Sequence, residues 1–393
     1  MLLNRLYEGI HRLPLRIRLL RRRARLIADR APAVLVPSIL GTRLEHPDGR
    51  LAWGSARRLY FGAPLGDEAG IRTAGLLRGF TLIPGMLQYD VFGGLLRFLA
   101  AVGGYVPGED LHAFEYDWRG GVAQAGEQLA EALHRLRGAG NERFDLIGMS
   151  TGGLVIRWLL AHSDVPVRRI VYVGTPQRGA FSALWYIADG VQPAPLGQSF
   201  TGSAVARFQT AWDALPHAEE RVFVDEAGEP LGLDLYDPDI WRKLQLVPSG
   251  IEVAHRLEAA SRLHGALARA SHPDSFVIGA RNQPTATRCI VQGGRPTFPP
   301  CEPRPGDPRL RFAYEPGDSA VPLRSLQALP GLDPQRVWFV EPDEHRALPA
   351  HRDVHRLVLE ALLATERAIP QPRLGTRLGY DSAKRSEDLR DVR

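Results

Sequence analysis

The stretch from Phe144 to Leu160, FDLIGMSTGGLVIRWLL, constrains this chain more than any other. An apolar run, Phe144, Leu146 and Ile147, reads as a short buried strand and stops at Gly148-Met149-Ser150-Thr151-Gly152. Helical apolar spacing follows at once. A residue at the apex of so sharp a strand-to-helix turn has a strained backbone, and flanking residues without a Cβ let strand and helix approach. Ser150 would then lift its hydroxyl above the sheet edge, beside the Thr151 amide at the positive end of the helix. The alternative is a Gly-rich turn with an incidental serine. The strand before and the helix after favour a nucleophile.

A chain of 393 residues, 44% hydrophobic, can bury a large core as one α/β domain with insertions or as two domains. Its net charge of +5 invites a nucleic-acid reading until the charge is located. Residues 1–30 hold nine arginines against Glu8 and Asp29, so the remainder is close to neutral. This segment interleaves Leu and Ile with Arg, and Pro14 divides it. It has no apolar run long enough for a signal-peptide core or a membrane span. The pattern suits an amphipathic anchor on an anionic membrane surface; a solvated arm and a helix packed on the body with its arginines outward are the alternatives. Nucleic acid is not an expected partner, because no basic surface interleaved with aromatics follows. A cytoplasmic or peripheral-membrane setting, bacterial in character, is expected. Cys289 and Cys301 bracket a Gly/Pro-rich loop and would form a small disulfide on export, or remain two thiols otherwise. No Cys/His cluster of metal type is present, and neither metal nor cofactor is expected.

From residue 31 onward, strand-like and helix-like segments alternate, which favours a doubly wound, mainly parallel sheet. Ala33 to Val36 reads as a strand ending at Pro37. The loop after it is placed to supply a second oxyanion amide, for which Ile39 is the candidate; an ordinary strand-to-loop transition is the alternative. Residues 47–86 carry Trp53, Tyr60, Phe61 and many glycines without clear periodicity. They are expected to form a lid or lipid-facing excursion, or else an insertion that covers the core. Gln88 to Val102 reads as a helix, Leu111 to Trp118 as a strand, Ala123 to Leu136 as an amphipathic helix and Val167 to Val173 as a strand. Residues 181–309 break the rhythm with tryptophans, prolines and irregular helical pieces, so a cap insertion is expected there. Arg309 to Tyr314 is expected to resume the sheet, Arg336 to Val340 to be its last strand, and Pro349 to Ala364 the closing helix. The domain plan is therefore a basic segment (1–30), a core in two parts (31–180 and 310–365), a cap (181–309) and a polar tail (366–393).

Ser150, Asp318 and His345 occur in the order nucleophile, acid, base, each directly after an expected strand. That order matches the α/β-hydrolase arrangement. His351 and His355 are rival bases on the closing helix, and Asp343 and Glu344 are rival acids that sit badly because they precede His345 in its own loop.

Together these residues resemble the lecithin:cholesterol acyltransferase family. The matching stretches are VLVPSILGTRLE (34–45), YDWRG (116–120), IGMSTGG (147–153), VGTPQRGA (173–180) and GDSAVP (317–322), with YDWRG the most discriminating. The resemblance implies an α/β-hydrolase fold with an inserted cap and a mobile lid to which Trp53 and its neighbours look similar. It also implies Ser150, Asp318 and His345 as catalytic residues and the loop at Ser38 and Ile39 as one side of the oxyanion hole. The chain departs from the family pattern at Ser38, Met149, Ser319 and Ala320, where the family has Gly, His, Gly and Thr. The expected function is serine-dependent lipid acyl hydrolysis or O-acyl transfer from a lipid ester to water or an alcohol. The alternatives are a soluble carboxylesterase on small esters and a catalytically degenerate protein that binds lipid or a partner.

Overall fold

The computed structural model describes residues 30–55, 65, 68–83, 87–138, 140, 142–191, 200–300, 303–304, 306–341 and 344–364, with 17 and 19–21. Its centre is a six-stranded sheet. The strands are β1 (Ala33–Val36), β2 (Leu111–Ala113), β3 (Phe144–Met149), β4 (Val167–Val173), β5 (Ser275–Gly279) and β6 (Val337–Phe339). They lie in the spatial order β6-β5-β4-β3-β1-β2, and every pairing is parallel. The order reverses at β1, which pairs with both β2 and β3. Such a switch point opens a crevice at the carboxyl ends of the strands.

Period-two alternation sends successive side chains to opposite faces. Val34, Val36, Leu146, Ile170, Tyr172 and Val277 enter one buried cluster, while Ala33, Leu35, Ile147, Val171, Val173, Phe276 and Ile278 enter the other. The first face is covered by α2 (Val122–Gly138), α3 (Thr151–His162) and α4 (Val253–Leu267), the second by α1 (Gly93–Ala101) and α5 (Arg352–Leu362). This is the α/β-hydrolase architecture. The close fit of α2 on α3 depends on Gly126, where a Cβ would stand 2.3 Å from the Trp158 ring.

Several boundaries differ from the sequence expectation. The chain returns to the sheet at Ser275, well inside the segment expected to be a cap. The core strand SFVIG is buried along its whole length, but its apolar run is short and is flanked closely by Pro273 and Pro284, which mask it. Arg309 to Tyr314 does not resume the sheet: Asp307 caps a 3-10 turn at Pro308–Arg311 by accepting the Arg309 N–H. The strand after it, Tyr314–Gly317, pairs antiparallel with Gln283–Ala286 outside the main sheet. Within 47–86, the described residues include strands rather than an irregular excursion. Thr42–Glu45 pairs with both Leu51–Trp53 and Arg72–Leu76, and Gly79–Ile83 forms a hairpin with Leu87–Asp90. The expected helix from Gln88 therefore starts only at Gly93, where the Asp90 carboxylate accepts the Gly94 N–H at 3.0 Å. The closing helix starts at Arg352, with His351 as its N-cap.

Of the basic segment, only residues 17 and 19–21 and Arg30 are described. Leu20 is buried in the second cluster and Leu19 is exposed. Arg30 packs over the Tyr105 ring and donates to Asp110 and to the Gly103 carbonyl. Cys289 is buried with a free thiol, pushed up to about 12 by burial, while Cys301 lies outside the described residues, as do the tail from 365 and Tyr60 and Phe61. Among the described residues no helix is long and apolar enough to cross a membrane.

Asp213 links distant parts of the first face. Its buried carboxylate accepts the Val122 N–H at 2.7 Å, at the start of α2, and the Gln209 amide at 2.9 Å. Burial pushes this carboxyl up to about 6, against those two hydrogen bonds and the Arg256 charge. A carboxyl whose folded pKa is raised contributes its full stability below its unfolded pKa of about 3.9 and loses it as pH rises through the folded value. Asp213→Asn keeps an oxygen acceptor for Val122. It is therefore expected to gain on the wild type by on the order of 1–3 kcal/mol between about pH 4.5 and about pH 7.5. Urea midpoints at the two pH values check this, and a difference that stays constant contradicts it.

Candidate active site

The site begins with the fit of β3 against α3. A Cβ on Gly148 would stand 2.7 Å from the Gly153 Cα, and one on Gly153 would stand 2.1 Å from Thr175 Oγ1. On Gly152 it would stand 2.2 Å from the Val36 carbonyl oxygen. Gly148 and Gly152 are thus required by backbone contact on either side of Ser150, and Gly153 by the Thr175 side chain. Ser150 itself has φ of 51° and ψ of −122°, a conformation that L-residues rarely adopt. Its amide donates to the Val173 carbonyl at 2.7 Å, and its own carbonyl accepts from Gly153 at 3.0 Å, so the turn is held from both ends.

His345 begins a 3-10 turn, His345–Ala350, after β6. Its Nε2 lies 3.0 Å from Ser150 Oγ and its Nδ1 2.7 Å from Asp318 Oδ2. The carboxylate partner assigns the proton to Nδ1 and leaves Nε2 as acceptor for the Ser150 hydroxyl. Gly174, at φ of 59°, makes room for the ring: a Cβ there would stand 2.8 Å from His345 Cε1. Asp318 is fully buried. Its Oδ1 accepts the Val321 N–H at 2.7 Å and the Ala320 N–H at 3.2 Å, which leaves Oδ2 for the imidazole. Burial disfavours the imidazolium, but the charge of Asp318 and its hydrogen bond outweigh that and hold the His345 pKa above the ordinary histidine value. Ser319, at φ of 78°, joins acid and base loops, since its hydroxyl accepts the His345 N–H at 3.3 Å.

The rivals lie elsewhere. His355 is buried, donates through Nε2 to the Pro349 carbonyl at 2.7 Å, and has its pKa lowered by burial. His351 is spent as the cap of α5, and Glu344 pairs with Arg346. Asp343 lies outside the described residues.

The Ile39 amide is brought to the N-terminus of α3, where it donates to the Thr151 hydroxyl at 2.8 Å. The rest of this loop is tied down by groups to which sequence reasoning assigned no role. Tyr116 donates its hydroxyl to the Pro37 carbonyl at 2.9 Å, and the Trp118 indole donates to the Thr42 carbonyl at 3.0 Å. The YDWRG motif, singled out for its distinctiveness, thus spans the loop from end to end. This is also why the strand expected over Leu111 to Trp118 stops at Ala113: Tyr116 and Trp118 turn inward to these carbonyls. Leu40 has φ of 66° and its carbonyl accepts the Trp53 indole N–H at 2.9 Å.

Trp53 is buried, packs against Trp118 and Phe200, and lines a cavity, which suits the core-covering alternative for 47–86. Its indole N–H needs an acceptor, and Leu40 supplies one in the interior. The cavity has a volume of about 1040 Å³ and takes in Ser150 and His345. Aromatic and aliphatic side chains, including Trp185, Tyr186, Phe200, Phe208 and Leu310, dominate its lining. The arrangement can deprotonate a serine hydroxyl and present it to a carbonyl carbon in apolar surroundings.

Comparison with known proteins agrees with the motif resemblance. The profile of the lecithin:cholesterol acyltransferase family matches residues 69–231, a span that includes Ser150 and YDWRG. A chain from a structure described as the crystal structure of the Tle4-Tli4 complex superposes with a TM-score of 0.57 at 13% identity, covering 85% of this chain and 98% of that one. This likeness concerns the fold. No curated sequence matches the chain.

The contact at Gly152 is the most sensitive in the site, because the obstructing atoms are main-chain carbonyl oxygens that no rotamer change can move. Gly152→Ala is expected to lower stability by about 1–3 kcal/mol or more through overpacking. A urea midpoint equal to that of the wild type would contradict this close approach.

Proposed function

We propose, for a chain whose residues 69–231 carry the lecithin:cholesterol acyltransferase family pattern, that it is a serine-dependent lipid acyl hydrolase or O-acyltransferase acylated on Ser150. One observation carries the reading. Ser150 Oγ lies 3.0 Å from His345, His345 lies 2.7 Å from buried Asp318, and the group opens on an apolar cavity of about 1040 Å³. At roughly 30 Å³ per water-sized group, such a space takes on the order of 30 methylene-sized groups. That supports a lipid ester over the small esters of a soluble carboxylesterase.

In the proposed reaction His345 Nε2 takes the Ser150 proton as Oγ attacks the ester carbonyl, and Asp318 stabilises the imidazolium. The oxyanion is received by the Thr151 amide at the N-terminus of α3, with the Ile39 amide as second donor. His345 then gives its proton to the leaving alcohol, and the acyl group remains on Ser150. Water or an acceptor alcohol, deprotonated by His345, attacks the acyl carbon and frees Ser150. Hydrolysis and transfer share the same acyl-enzyme.

Wild type and Ser150→Ala are to be incubated with phospholipid vesicles, with and without a lipid alcohol, and the products resolved by mass spectrometry. Fatty acid release by the wild type, with new esters when the alcohol is present, is expected for a transferase. Fatty acid alone is expected for a hydrolase. In either case Ser150→Ala should lose about 10³-fold or more. Equal product from Ser150→Ala overturns the reading, and turnover of short soluble esters alone favours the carboxylesterase.

Because His345 must be neutral to act as base, kcat/KM is expected to fall as pH drops through its raised pKa, above the ordinary 6.5. Asp318→Asn removes the charge that raises it and leaves burial unopposed. The acid limb should then move below about 6.5, with kcat lower by about 10⁴-fold. A pH–rate profile on a soluble chromogenic ester checks both, and an acid limb that does not move rules out the Asp318 charge as the cause.

A further inference from the structure

The loop Pro37–Leu40 is held by two buried hydroxyls. The Ile39 N–H donates to Thr151 Oγ1 at 2.8 Å, and the Tyr116 hydroxyl donates to the Pro37 carbonyl at 2.9 Å. Pro37 and Ile39 are two residues apart, so the two bonds grip the loop on either side of Ser38. Tyr116 and Thr151 are 1% and 5% exposed, so these bonds are made away from bulk water.

The Thr151 hydroxyl aims the Ile39 amide. Covalent geometry keeps Thr151 Oγ1 within about 3 Å of its own backbone nitrogen. An N–H directed at that oxygen is therefore directed at the mouth of the first turn of α3, beside the Thr151 amide and one residue from Ser150. Two amides from separate chain segments thus converge there, and an arriving oxyanion can share the Ile39 N–H with the hydroxyl as a three-centre bond.

We infer that Thr151 and Tyr116 are positioning residues, whose hydroxyls fix the Ile39 amide where the developing oxyanion needs it. The inference rests on the reading of Ser150 as nucleophile. Apolar replacement of either hydroxyl keeps the shape of the site and releases the loop. Removal of a whole oxyanion donor costs about 10²–10³ in kcat, so a donor that is present but unfixed should cost ~10–100-fold.

The experiment compares Thr151→Val, Thr151→Ser and Tyr116→Phe with the wild type. Turnover of a chromogenic ester is measured, together with the rate at which a fluorophosphonate labels Ser150, since its phosphoryl oxygen occupies the oxyanion position. Thr151→Val and Tyr116→Phe should lose kcat ~10–100-fold with KM within about 3-fold, lose labelling rate in step, and Thr151→Ser should restore both. Wild-type rates in Thr151→Val overturn the proposal. So does an equal loss in Thr151→Ser accompanied by a fall in melting temperature, which would make Thr151 a packing residue. Failure of the wild type to label at Ser150 overturns the nucleophile itself, and the role of the two hydroxyls with it.

Discussion

Everything at this site depends on how closely strand β3 approaches helix α3. The approach is set by main-chain atoms: Gly148 lies against the Gly153 backbone, and Gly152 against the carbonyls of Val36 and Pro37. Two contacts therefore join three elements: the strand, the helix, and the end of β1 with the loop after it. Because the helix starts immediately beyond Ser150, its first amides face the crevice where the strand order reverses. The proposed base and acid, His345 and Asp318, come from much later in the chain, and neither stands on the sheet itself. His345 sits in a 3-10 turn after β6, and Asp318 follows a strand paired outside the main sheet. Short polar links, the Ser319 hydroxyl to the His345 amide and the Ser319 amide to Thr285, hold them where the ladder does not.

What could be read from the sequence was local. FDLIGMSTGG states its own structure, because strand length, glycine spacing and helical period all fall within a dozen residues. Strand β1, helix α2 and strand β4 were equally plain, as each has a clean period and a breaker at its end. Strand β5 is hidden, since five buried residues after a long helix, between Pro273 and Pro284, give too short a run to stand out. Arg309 to Tyr314 misled in the opposite direction. Its alternating pattern suits a strand, yet Asp307 and Pro308 dictate a capped turn.

The links around the loop Pro37–Leu40 are not legible at all. Ile39 and Thr151 are 112 residues apart, and Tyr116 and Pro37 are 79 apart. Nothing in the local pattern of either partner announces the other. Trp53 makes a non-local link of the same kind, since its indole N–H donates to the Leu40 carbonyl.

Four non-glycine residues have positive φ among the described residues, Leu40, Ser150, Gln245 and Ser319, and all but Gln245 line the reactive cavity. Each such position costs on the order of 1–3 kcal/mol, against a total stability of roughly 5–15 kcal/mol for a folded domain. The rest of the fold must therefore be stable enough to carry that burden. Mutational drift toward greater thermal robustness has an open direction here, because glycine at any of the three would relax the backbone. Under the proposed function, selection for turnover must hold these side chains in place against that drift.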